Sequence, residues 1–212
     1  MCKIDWNLVI QSFIAIGTVS VAIFAIWGNW FKSRFIPPKL KIVEQNLRGE
    51  LTQLTGPNFQ TTRVIYYHLK VVNSRNWSTA KNCKVLLTEV HLRLPNGQFQ
   101  RIPLNAFHSF RWTPAELTGL TLDISHDQIF DFGRILEAGN RFEPTLSSYP
   151  NNFNGFVTAN NAIRYTLKIV AEGYESKKPQ VFEVAWNGNW SDNMDIMTRN
   201  VTIQEIDTKS SN

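Results

Sequence analysis

The run Ile65-Tyr66-Tyr67-His68-Leu69-Lys70-Val71-Val72-Asn73 decides the fold. Ile65, Tyr67, Leu69 and Val71 are bulky and apolar, and Tyr66, His68 and Lys70 take the alternate places. Successive side chains of a strand point to opposite faces, so a period of two predicts a half-buried strand. The pattern returns later, with Ile163, Tyr165, Leu167, Ile169 and Ala171 set against Arg164, Thr166, Lys168 and Glu172. Lys177-Lys178-Pro179 then separates that run from Phe182, Val184 and Trp186, and the two segments are predicted to pair antiparallel.

Working outward, Lys39 to Asn46 reads as an opening strand. Cys83, Val85 and Leu87 share one parity, whereas Val90, Leu92 and Leu94 share the other. One extra residue near Thr88, a β-bulge, would bring both sets to one face. Pro95-Asn96-Gly97 follows, where Asn-Gly is expected to supply the positive φ angles of a tight hairpin returning through Gln98 to Ile102. Shorter strands are predicted at Phe107 to Trp112, Leu120 to Ile124, Gln128 to Leu136 and Val201 to Ile206. Glu137 to Ala162, with its Gly, Pro, Asn and Ser residues, is expected to be mostly loop. About eight strands without a helical period for a βαβ crossover predict a mainly β protein, an immunoglobulin-like or jelly-roll-like antiparallel β-sandwich.

Ahead of this domain, Leu8 to Trp27 holds twenty residues without a charge. Its eleven large apolar side chains contribute roughly 3 to 6 kcal/mol to insertion, which offsets Gln11 and the hydroxyls. Trp6 and Trp27 stand 21 helical steps apart, about 32 Å, close to the ~30 Å of bilayer hydrocarbon, and tryptophan favours the two interfaces. Trp30 extends the second aromatic belt. No A-x-A cleavage pattern follows the apolar run, so a retained anchor is expected rather than a signal peptide. Residues 1–36 are thus read as transmembrane anchor and juxtamembrane segment, and 37–212 as the soluble domain.

Charge sets the orientation. Lys3 precedes the helix, whereas Lys32, Arg34, Lys39 and Lys41 follow it, and basic residues resist translocation, so the C-terminal domain is expected in the cytoplasm of a cell with an inner membrane. The same placement weakens a nucleic-acid reading of the pI near 9.3. Beyond Lys41 there remain 17 basic and 16 acidic residues, so the domain has no net positive field for phosphate backbones. The expected partner is the lipid bilayer, together with a second copy or another membrane protein. Cys2 and Cys83 are too few for a disulfide framework. Asn76-Trp-Ser, Asn189-Trp-Ser and Asn200-Val-Thr match the glycosylation triplet, which carries no meaning in a cytosolic domain.

Pro37-Pro38 ends the helix, because proline lacks an amide donor and disfavours helical geometry at Ile36. Inside the helix, Gln11, Ala15, Thr18, Ala22, Ala25 and Asn29 recur at steps of four and three and form a seam of small and polar groups. Such seams let membrane helices approach closely and bond across the interface.

The basic, double-proline exit from Trp27 to Leu40, the run Tyr66 to Asn73 followed by Ala80-Lys81-Asn82-Cys83, and the late Tyr165-to-Trp190 hairpin ending Trp186-Asn187-Gly188-Asn189-Trp190 together form one pattern. It resembles uncharacterised bacterial single-pass membrane-anchored proteins with an immunoglobulin-like β-sandwich domain. The resemblance spans most of the chain; it implies topology and fold and transfers no activity.

Catalytic patterns are sparse. The histidines are His68, His91, His108 and His126, and no nucleophile elbow or glycine-rich phosphate loop accompanies them. Asp123, His126, Asp127 and Asp131 form the densest group of metal-ligating types, which a metal-dependent hydrolase would need to converge within about 2.0 to 2.6 Å of an ion. Aspartate's preference for turns explains the same residues, and Asp192-Asn193-Met194-Asp195 reads as a surface turn. Trp77, Trp112 and Trp190 are candidate loop aromatics for recognition. The leading expectation is a non-enzymatic binding or scaffold module that uses no cofactor. An oligomerising membrane effector, as in phage defence, is the second, and the hydrolase the third.

Overall fold

The computed structural model describes residues 6–35, 37–55, 60–114 and 119–206, and the chain divides into two compact units, Met1–Pro37 and Pro38–Asn212. The first is helix α1, Trp6–Phe35, of 30 residues. Its stretch Val9–Gly28 is long and apolar enough to cross a membrane, and none of it is buried within the protein. Thr18 and Ser20 donate their hydroxyls to the carbonyls of Ile14 and Ile16, at 2.9 and 2.8 Å, so these polar groups are satisfied inside the helix.

The second unit is an antiparallel β-sandwich. Its strands are β1 (Leu40–Thr55), β2 (Thr61–Asn73), β3 (Ala80–Arg93), β4 (Phe99–Ile102), β5 (His108–Ser109), β6 (Arg111–Trp112) and β7 (Leu122–Ile124). They continue as β8 (Asp127–Leu136), β9 (Arg141–Pro144), β10 (Val157–Thr158), β11 (Asn161–Ala171), β12 (Tyr174–Glu175), β13 (Gln180–Trp186) and β14 (Val201–Ile206). A short helix α2, Met194–Asn200, precedes β14. One sheet runs β1-β2-β8-β9-β10, with β6 beside β8. The other runs β14-β13-β11-β3-β4, with β12 beside β11 and β5 and β7 beside β3.

Inward faces of the two sheets share one core. Ile65, Tyr67, Leu69 and Val71 of β2 are fully buried, as are Ile163, Tyr165 and Leu167 of β11. Phe132 of β8 sits at the centre: its ring lies 5.8 Å from Phe110, 5.9 Å from Phe142, 5.9 Å from Tyr165 and 5.8 Å from Phe182. Tyr165 and Phe182 belong to the opposite sheet, so these contacts join the layers, and aromatic pairs at such distances add about 0.5–1.5 kcal/mol each beyond area burial. Gln180 closes one margin of the sandwich. Its side-chain oxygen accepts from Ile42 N at 2.7 Å and its amide donates to Ile42 O at 2.8 Å, which satisfies backbone groups of edge strand β1.

Several sequence expectations meet their structure here. The register of β3 against β11 pairs Glu89 with Thr166 and Leu87 with Leu167, leaving Thr88 as the extra residue of a bulge. Thr88 donates its hydroxyl to Thr166 O at 3.1 Å, and Val85, Leu87 and Val90 all reach the core. At the Asn96-Gly97 turn only Gly97 has a positive φ, +83°. Gly97 N bonds to Leu94 O and Leu94 N to Gln98 O, a turn with Pro95 leading and glycine forming the bulge, rather than two left-handed residues. The opening strand is longer than read, because irregularities between Glu44 and Asn46 and between Asn46 and Glu50 let β1 stay paired with β2 as far as Thr55. Glu137 to Ala162 is mostly loop, as expected, although β9 and β10 lie within it and β11 begins at Asn161.

Candidate functional site

Two places in the sandwich gather functional residue types. The first is the middle of β2 and β8. His68 points away from the core opposite Asp131, because β2 and β8 pair with those residues in register. The imidazole Nδ1 is 3.0 Å from Asp131 Oδ1, close enough for an ion pair though not aligned as a hydrogen bond, and Nε2 is 3.4 Å from Glu50 Oε2. Thr113 donates its hydroxyl to the same Asp131 oxygen. The order of groups is wrong for nucleophile activation, which needs the hydroxyl on the imidazole, whereas here both ring nitrogens face carboxylates. Beside it lies a shallow cleft of about 210 Å³ lined by Gln45, Lys70, Thr113, Asp127, Gln128 and Ile129. That is below the ~300–1,000 Å³ of small-molecule sites. Lys70 Nζ and Asp127 Oδ2, 3.1 Å apart, neutralise each other there.

The candidate metal ligands have other partners in this geometry. Asp123 accepts from Asn82 N at 2.8 Å, Asp127 pairs with Lys70, and Asp131 pairs with His68. His126 instead takes part through its backbone, whose carbonyl accepts from Asn73 N. Among the described residues no group of three ligand types could hold an ion. The cause is strand pairing: Asp123 is held by β3, and Asp127 and Asp131 by separate residues of β2.

The second place is the end of the sandwich at which the domain begins. Asn73, 4% exposed, is its hub. Its Oδ1 accepts from Lys39 N at 3.3 Å and Arg75 N at 3.1 Å, and its Nδ2 donates to Ser78 O at 2.7 Å and Ile124 O at 3.3 Å. Ser74 N and Oγ both donate to Lys39 O, at 3.0 and 3.1 Å, and the hydroxyls of Thr79 and Ser125 are 3.2 Å apart. The loop 74–79 is therefore fixed to Lys39 on one side and to the 124–126 turn on the other. It holds Trp77 outward with 67% of its surface exposed. Asn73 had no signal in the sequence beyond closing a strand.

The three tryptophans have different fates. Trp77 is the exposed loop aromatic just described. Trp112 is not one: it lies in β6, is 1% exposed, and meets Phe130 edge-on at 6.0 Å. The pairing of Trp112 with Phe130 in register turns its ring into the core. Trp190 is half-buried against the core, with the Arg63 guanidinium 4.9 Å over its ring. Arg63 also donates to Glu137 and Asp192, both at 2.9 Å, and holds the Glu137 carboxyl below its usual range.

Cys83 is buried, and desolvation pushes its thiol up to about 12, which makes it a packing residue rather than a nucleophile. On α1, Gln11, Ala15, Thr18, Ala22 and Ala25 are all exposed. At ~100° per residue they fall within a stripe about 80° wide. Trp6 and Trp27 are exposed near the two ends of the apolar stretch Val9–Gly28, 69% and 55%. The side chains of Asn29, Trp30, Lys32 and Arg34 lie outside the described residues. No protein-family model matches this sequence, and no curated protein is significantly similar to it.

Proposed function

We propose that this protein is a membrane-tethered, non-enzymatic binding or scaffold module, a β-sandwich held by α1 at the cytoplasmic face of a bacterial inner membrane. The observation that carries the reading is that Val9–Gly28 buries none of its apolar surface within the chain, although the domain that follows has a core of its own. A hydrocarbon environment accepts such a helix because every backbone bond is internal. Lys32, Arg34, Lys39 and Lys41 after the helix, against Lys3 before it, support the cytoplasmic placement. The non-enzymatic part of the reading is supported by the surroundings of two groups that catalysis could use: His68 faces two carboxylates and Cys83 is buried.

Self-association through α1 belongs to the same proposal. Thr18 already donates to Ile14 O, so among the described seam side chains Gln11 is the polar group left for bonding to a second helix, with Ala15, Ala22 and Ala25 permitting close approach. Carbonate-washed membranes should retain the full chain, and protease added to sealed spheroplasts should leave the region beyond Pro38 intact. Recovery in the soluble fraction, or digestion from outside, would end the reading. Crosslinking should trap oligomers of the wild-type chain and lose them in Gln11→Leu/Thr18→Leu; equal yields from both would remove the seam.

A further inference from the structure

We propose that the loop 74–79 is a second membrane contact, in which Trp77 enters the lipid interface and Lys39 and Lys81 meet anionic headgroups. The inference rests on the anchor reading and adds an orientation to it. The loop carrying the tryptophan is rigid, since Asn73, Ser74 and Thr79 tie it to Lys39 and Ser125. Neighbouring residues contrast with it: Ser78 is 3% and Ala80 1% exposed, whereas Trp77 stands 67% in the open. A large indole held outward by a fixed backbone is built to meet a surface, and tryptophan's amphipathic ring suits the headgroup boundary.

Position and charge identify which surface. Lys39, to which the loop is bonded, follows the last residue of α1, Phe35, by four residues, a reach of at most about 14 Å. Lys39 and Lys81 have exposed side chains. The acids of this end are engaged with the protein: Asp123 accepts from Asn82 N, Asp127 pairs with Lys70, and Glu172 accepts from Asn82 Nδ2 at 3.4 Å. An indole flanked by free ammonium groups, on a tether of that length, fits the phosphates and interface of the bilayer in which α1 would sit. The sandwich would then stand with this end to the lipid, and present the opposite end, with the 95–97 turn and Trp190, to the cytoplasm.

The test uses the full chain, with Cys2→Ser and Asn76→Cys carrying an environment-sensitive fluorophore, in phosphatidylglycerol-containing vesicles. Cys83 is buried and stays unlabelled. The probe at position 76 should be blue-shifted and shielded from iodide, and the same probe at Asn96→Cys should remain quenched. Trp77→Ala should abolish the shielding. Lys39→Gln and Lys81→Gln should each shift the docked-to-free ratio about five-fold. Flotation with the vesicles combined with full iodide quenching at position 76 would overturn this docking and leave the anchor standing. Equal shielding at both positions, or shielding unchanged by Trp77→Ala, would overturn it as well. Failure to float would defeat the anchor reading, and this proposal with it.

Discussion

Gly133 offers a direct test of how the sandwich is packed. It lies in β8 opposite Tyr67, just past an irregularity that leaves Phe132 unpaired between Asp131 and Gly133. A Cβ at this position would press into the ring of Phe142, with Cε1 at 2.5 Å, and approach Glu143 O at 2.9 Å. The ring has little room to yield, because it is fully buried against Tyr67, Phe132 and Tyr165 at 5.8, 5.9 and 6.4 Å. Gly133→Ala is therefore expected to destabilise the domain by about 3 kcal/mol, the upper part of the overpacking range. For a domain of this size that lowers Tm by roughly 6 to 12 °C. Phe142→Leu alone should cost about 1 to 2 kcal/mol, from lost contacts and residual cavity. Because Leu withdraws the atoms that meet the new methyl, the double variant should cost less than the sum by about 1 to 2 kcal/mol. Thermal unfolding of the full chain in detergent, followed by tryptophan fluorescence, gives all four values. An unchanged Tm for Gly133→Ala, or strictly additive effects, would refute the reasoning.

Three further outcomes are expected. Asn73→Ala orphans two amide donors and two carbonyls and should lose about 2 to 4 kcal/mol, with limited trypsin cutting first at Arg75; uniform cleavage across the domain would count against the hub. Trp112→Ala should cost about 3 to 5 kcal/mol while Trp77→Ala leaves Tm unchanged, and comparable losses would contradict their placement. Alkaline stability should decline because burial raises the Cys83 thiol to about 12. Above about pH 8.5 the unfolded chain releases a proton that the folded chain keeps, so stability falls as pH rises through that window. Cys83→Ala should flatten the slope between about pH 8.5 and 10; Tyr67 and Tyr165, also raised by burial, sustain it above that. Identical pH profiles for the two chains would refute this.

Much of the architecture was legible because it rests on local periodicity. The apolar length of α1, the alternation in β2 and β11, and the change of parity around Thr88 are properties of neighbouring residues. Shorter elements escaped for a physical reason. Helix α2 has seven residues, too few for a helical period, and Asn193, whose side chain caps it by accepting from Asp195 N, reads equally as a turn former. The two-residue and four-residue strands β10 and β9 are held by the edge of an existing sheet rather than by their own propensity.

By itself, the sequence determined that an apolar span precedes a mainly β domain, since hydropathy and period are written along the chain. Strand order and register needed the tertiary structure. Register alone brings His68 to Asp131, gives Asp127 and Asp131 separate partners on β2, and turns Trp112 into the core. Trp77 is left outside for a different reason: Asn73 joins backbone groups of its own loop, at Arg75 and Ser78, to Lys39 and Ile124, which are far from it in the chain, and no local pattern encodes that meeting.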